Sequence, residues 1–220
     1  MSKELDNVFT DVRIAFRLLY QYQNRVLNII NYIREQTPFT DMWGGKWFSN
    51  PIRTRKSPDK DYANLNIWKD MWSWDFLYGY MFDYYFGSTK IKEKDIEMSI
   101  MQVSDDGYFL SDVSSASLTD LSTFADAEDS HSYIVLNVGW NRWMSDDKND
   151  DDWWAFMCDF FANKDDCKVI KEKNCFFITK RYQMQKFVNQ DAADIIIRDY
   201  GKLVYDTVGI KLFKDTFYDK

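Results

Sequence analysis

Residues 95–103 read "DIEMSIMQV". Ile96, Met98 and Ile100 alternate with Glu97, Ser99 and Met101, a period of two, which is how a β-strand sorts its side chains between two faces. Upstream the apolar residues recur every three or four positions, as on a helix. Downstream, short strand-like runs return again and again. The change of period near residue 91 therefore divides the chain into a helical part and a sheet part.

Working back from that point, residues 3–36 have the spacing of one long helix. Val8, Val12, Ala15, Leu19, Tyr22, Val26, Ile30 and Ile33 step by three or four. Phe16, Leu18, Leu27 and Ile29 widen the stripe, so the helix is expected to be covered on more than one side. Arg13, Arg17, Asn24 and Asn28 fall on its polar side, and Pro38 stops it. Residues 37–63 read as loop, with a Gly pair and two prolines in "WGGKWFSNPIRTRKSPDK". A second helix is expected over 64–86. Ile67, Met71, Trp74, Tyr78, Met81 and Tyr85 share one face of it, Trp72, Phe76 and Tyr80 another, and Gly87 is its natural stop.

Working forward, Asp106-Gly107 in "SDDGYFL" is a hairpin signal. The Ser/Asp-rich stretch from 111 to 130 reads as an insertion, with a short helix near Leu118–Phe124. "HSYIVLNVGW" (131–140) is the best strand in the chain. "DDWWAFMCDFF" is a short helix, and "CKVIKEKNCFFITKRY" a second hairpin. Residues 190–208 form a closing helix built on Ala193, Ile196, Ile197, Tyr200, Leu203 and Val204, capped by Asn189 and ended at Gly209. The elements predict an α+β fold. A long N-terminal helix pair and a C-terminal helix pack on one face of a mostly antiparallel sheet of about five strands. One domain is expected over 1–220: a helical part, 1–90, with a basic loop at 44–63, and a sheet part, 91–220, with acidic insertions and the C-terminal helix.

Nine Trp, fourteen Tyr and seventeen Phe make the chain aromatic-rich. Aromatics bury large areas with few rotatable bonds, and those that do not fit inside become contacts. The net charge of −7 is unevenly placed: +4 over residues 1–60, −15 over 61–166 and +4 over 167–220. An acidic middle favours a basic protein partner and disfavours a nucleic-acid backbone there.

Several function classes are disfavoured. Cys158, Cys167 and Cys175 have no CxxC spacing and His131 is the lone histidine, so zinc sites and triads lack their parts. No phosphate-cradling glycine run appears, and no cofactor is expected. No eighteen-residue apolar run exists, so no membrane contact is expected. The N-terminus lacks an apolar leader core, and an odd cysteine count is a poor disulfide framework. Both point to a cytoplasmic setting.

The densest feature is "DDKNDDDWW" at 146–154. As a calcium loop it fails, because Asp152 stands where the turn glycine belongs and Cys158 where the bidentate glutamate belongs. No metal site is assigned. Asp150, Asp151 and Asp152 suit a helix start, where carboxylates meet orphan N–H groups and the positive end of the dipole. Five aspartates exceed that need. Asp146, Asp147, Asp150, Asp151 and Asp152 beside Trp153 and Trp154 also make a charged rim next to aromatic anchors, the anatomy of a partner-binding surface. One indole is expected to face inward and the other outward. Arg53, Arg55, Lys56 and Lys60 form a basic loop that binds phosphate or only water.

The expected function is a non-enzymatic, cytosolic protein–protein interaction protein, of an inhibitor, immunity-like or accessory kind, which uses an acidic, aromatic-rimmed surface against a basic partner. The alternative is a Mg²⁺-dependent nuclease or phosphohydrolase. It would gather carboxylates such as Asp105, Asp106, Asp112, Glu128, Asp129 and Glu172.

Overall fold

The computed structural model describes residues 2–46, 81–111, 121–141, 150–163 and 165–218, with backbone alone for 2–6, 44–46 and 150–155. Helix α1 spans Ser2–Glu35, as its spacing predicts. Strands follow at Trp43–Lys46 (β1), Met81–Ile91 (β2) and Lys94–Val103 (β3), then a one-turn helix at Gly107–Leu110 (α2). After strand Tyr133–Trp140 (β4) come helix Asp150–Ala162 (α3), strands Cys167–Lys171 (β5) and Phe176–Gln183 (β6), and helix Gln190–Val208 (α4).

Among the described residues the six strands form one sheet in the order β1-β2-β3-β4-β6-β5, with every neighbouring pair antiparallel. The chain is α+β. Register follows the pleat: Tyr84 lies opposite Ile100, and Ile100 opposite Leu136. These residues, with Ile96, Met98, Ile134, Val138, Phe176 and Ile178, build the larger core under the C-terminal half of α1 and under α4.

The intervening positions of the same strands point the other way. Met81, Met101, Val103, Tyr133, Val135 and Phe177 meet Met157, Phe160 and Phe161 of α3 and Tyr108 and Phe109 of α2. Phe109 stacks on Phe161 at 4.7 Å. Both faces of the sheet are therefore covered, where a single covered face was expected. The near-continuous apolar run of β4, buried at seven of eight positions, is the sequence mark of a strand sandwiched between layers.

The end of the expected second helix is a strand. Residues 81–86 belong to β2, held by β1 on one side and β3 on the other, while residues 64–80 lie outside the described residues. An aromatic-dense segment satisfies a three-or-four spacing and an alternating one at once. Pairing with β3 decided between them, because a paired strand satisfies its backbone groups across both edges. Gly87 is not a helix stop. It sits at φ 79°, where the β2–β3 register shifts between Tyr85 and Ser88, and a Cβ there would come within 3.2 Å of Asp41. The β2–β3 turn uses Lys92 (φ 49°) and Glu93 (φ 64°), a primed turn without the usual Asn-Gly pair.

Asp106-Gly107 opens α2 rather than a hairpin. The β4 strand does pair next to β3, but only after the excursion from 104 to 132. The 167–183 hairpin forms as read, closed by Glu172 N–H donating to Cys175 O at 2.9 Å. So does α4: Asn189 Oδ1 accepts from Ala192 N at 2.9 Å, and Gly209 ends the helix at φ 71°.

Candidate functional site

Helix α1 is 34 residues long, about 51 Å at 1.5 Å per residue. Its second half packs into the larger core. Val26 and Ile33 are 0% exposed, and Ile29 and Ile30 are buried beside them against the sheet and α4. The half is also anchored by polar contacts. Gln23 Nε2 donates to Tyr84 Oη at 3.0 Å and Gln102 Nε2 donates to Gln23 Oε1 at 3.1 Å, inside the buried region between α1 and the sheet. Gln102 Nε2 and Tyr22 Oη both donate to Ser104 Oγ, at 3.0 and 3.1 Å. Burial pushes the Tyr22 hydroxyl up, so it stays a donor. Arg25 donates to the Phe187 carbonyl, and Tyr32 to Asp194. A buried network with its donors matched fixes one orientation of the helix on the sheet.

N-terminal to this anchor the side chains of the same helix are exposed. Residues 7–21 are exposed on every side, including Val8, Phe9, Val12 and Ile14; Leu18 is 63% and Tyr20 70% exposed. That stretch runs about 22 Å. The arrangement corrects the expectation that the whole helix is covered on more than one side. Ile30→Val is expected to lower stability by ~1 kcal/mol, and Leu18→Ala to change it by less than ~0.5 kcal/mol. Urea denaturation of both variants checks the contrast; equal losses would show that the arm is packed.

The residues singled out from sequence fall elsewhere. Asp146 and Asp147 lie outside the described residues, as do Arg53, Arg55, Lys56, Lys60 and Asp112. Asp150, Asp151, Asp152, Trp153 and Trp154 form the first turn of α3, so the helix starts where the aspartates were read to start it. Their side chains lie outside the described part.

Asp105 and Asp106 are committed to backbone. Asp105 Oδ1 accepts from Gly107 N at 2.8 Å. Asp106 Oδ1 accepts from His131 N at 2.6 Å while its own N–H donates to His131 O at 3.1 Å. This clasp closes the excursion between β3 and β4, and burial raises the Asp106 carboxyl. Among the described residues no three His, Cys, Asp or Glu side chains gather as metal ligands would. The cysteines are unpaired, and burial raises the thiols of Cys158 and Cys167, the opposite of an activated thiolate. No described helix is long and apolar enough to cross a membrane.

A family model described as PM0109 matches residues 2–207. The chain belongs to the PM0109 family. Within this PM0109 member the match begins at residue 2, so the exposed arm lies inside the family region. No curated protein and no solved structure matches the chain.

Sequence reasoning located the helix that carries the arm but not the boundary at Tyr22–Gln23. The available signal was Gln23, a polar residue beside the apolar row, which marks the place where α1 enters the fold.

Proposed function

We propose that this PM0109-family chain is a non-enzymatic protein–protein interaction protein of the cytoplasm, with the N-terminal arm of α1 as a docking element. The observation that carries this reading is the exposure of Val8, Phe9, Val12, Ile14, Leu18 and Tyr20 on a helix whose other half is seated in the core. A preformed helix presenting apolar residues costs little ordering on binding, which makes it an efficient ligand for a groove or for another helix. The acidic segment 146–152 beside Trp153 and Trp154 is a second surface in this reading, steering a basic partner in an inhibitor, immunity-like or accessory role. Unpaired cysteines accord with a reducing compartment. The Mg²⁺-dependent alternative has less support, because Asp105 and Asp106 are held by backbone amides.

The test is a photo-crosslinking residue placed at Leu18, with the same residue at Ile195 of α4, 65% exposed, as the control. Expressed in its native cell, the protein should give discrete adducts, to any protein including itself, from position 18 and not from 195. Equal labelling, or none at either position, removes the arm from the function.

A further inference from the structure

One row of polar side chains runs across the sheet on its α3 side. The register sets Tyr85 opposite Ser99, Ser99 opposite Asn137 and Asn137 opposite Thr179, so the four share one face. Ser99 is 0% exposed, Asn137 1% and Thr179 2%. On the opposite face the same central strands carry Met98, Ile100, Leu136 and Val138. Stability alone would favour apolar residues on both faces, because a buried polar group costs free energy unless it is bonded. A buried polar row is the kind of local exception that marks a working site.

One atom beside this row lacks a partner. Asp83 precedes Tyr85 by two positions on β2 and so lies on the same face. Asn137 Nδ2 donates to Ser99 Oγ at 3.3 Å, and Ser99 in turn bonds the Asp83 carboxyl. Asp83 Oδ1 is sealed from solvent and has no hydrogen-bond partner among the described residues. We infer that the row, with this oxygen at its β2 end, binds a small ligand that carries a primary ammonium group. The inference goes beyond the docking reading of α1 and does not rest on it.

Charge and hydrogen bonding together select that class. Asp83 has no countercharge of its own. Arg181 falls in its register row but three strands away, about 14 Å at 4.8 Å per strand. Its guanidinium is already bonded to the end of α3 and to Asp166. Glu97, on the same face, bonds Tyr85 and adds a second acid. A cation is therefore attracted and an anion repelled. No three His, Cys, Asp or Glu side chains gather among the described residues, so a metal ion lacks its ligand set. An alkylammonium brings three N–H donors with its charge, as a lysine does. One meets the unpartnered oxygen of Asp83, and the hydroxyl and amide oxygens of the row can accept the others. Asp83 and Tyr85 are half-buried whereas Ser99, Asn137 and Thr179 are buried, which makes the β2 end the side of entry.

Thermal unfolding of the full chain near pH 8, above the value of about 7 to which burial pushes the Asp83 carboxyl, is the test. The probes are ethylammonium and benzylammonium chloride, with tetramethylammonium, sodium and magnesium chloride at matched ionic strength as controls. At least one primary ammonium should raise the melting temperature saturably, by about 3–6 °C at ten times its dissociation constant. Tetramethylammonium has the same charge without an N–H donor and should give no such rise. Asp83→Asn should remain folded and lose the response. Should that variant fail to fold, Ser99→Ala, which removes only a hydroxyl, is expected to weaken binding about fivefold. No saturable rise with either primary ammonium up to roughly 100 mM overturns the inference. An equal rise with tetramethylammonium, sodium or magnesium also overturns it, as does a response that survives in Asp83→Asn.

Discussion

Replacing Arg181 by Ala is expected to lower the unfolding free energy by ~3–5 kcal/mol, the combined result of leaving buried carbonyls unpaired and opening a cavity. Arg181 lies on β6 with its side chain 6% exposed, beneath the C-terminal end of α3. Its guanidinium satisfies several groups at once. Nη2 donates to Asn163 O at 3.1 Å, Nη1 reaches the Phe160 and Phe161 carbonyls at 3.5 Å, and Nε donates to Asp166 at 3.0 Å.

The carbonyls at the end of a helix have no partners within it and carry the negative end of its dipole, so a cation there is favourable twice over. The guanidinium plane also lies 5.1 Å from the ring centre of Tyr133 and 5.4 Å from that of Phe160. Ala would leave the carbonyls dry and open a cavity among the rings. Lys would return the charge but only one point of contact, and should recover less than half of the loss. Asp166→Asn should cost under ~1 kcal/mol, because Asp166 is 65% exposed and water replaces the bond. Urea denaturation at neutral pH measures all three. An Arg181→Ala loss below ~1 kcal/mol would mean that the cap contributes nothing.

The second large effect is one of pH. Asp83 sits on β2, on the α3-side face, and lies opposite Met101 of β3. Its Oδ1 is sealed from solvent and has no hydrogen-bond partner among the described residues. Burial pushes the carboxyl up to about 7, only partly offset by a hydrogen bond with Ser99. The folded state thus favours the protonated acid, whereas the unfolded chain ionises near 3.8. Between these values the unfolded state releases its proton first, so stability falls as pH rises from about 4 to about 7 and levels off above.

The full shift corresponds to a ceiling of about 4 kcal/mol, and the partial exposure of the residue reduces that to ~2 kcal/mol. Asp83→Asn should therefore leave stability unchanged near pH 4 and raise it by ~2 kcal/mol above pH 7. Thermal melts of both proteins across that range decide the matter. Parallel curves would show that Asp83 ionises freely in the folded chain.

Some elements were fixed by residues within a few positions of each other. Asn189 and Gly209 bracket α4 because a side-chain oxygen at one end and a left-handed glycine at the other act on their own helix alone. The β5–β6 hairpin and the β4 strand were legible for a similar reason, since their alternation or apolar run is contained in each segment. The start of α3 at Asp150 followed from carboxylates placed ahead of an apolar run.

Other elements were decided only by the tertiary structure. Residues 81–86 carry a pattern compatible with helix and strand, and pairing with β1 and β3 settled it. Asp106-Gly107 has hairpin chemistry, but the clasp to His131, 25 residues away, made it a helical turn. Arg181 looks in the sequence like any strand arginine until α3 ends above it. The heptad row of α1 is continuous from Val8 to Ile33, and nothing in its local spacing says which half is covered. Burial depends on what stands opposite, so the buried anchor and the exposed arm, written in one repeat, were separated only by where the sheet ends.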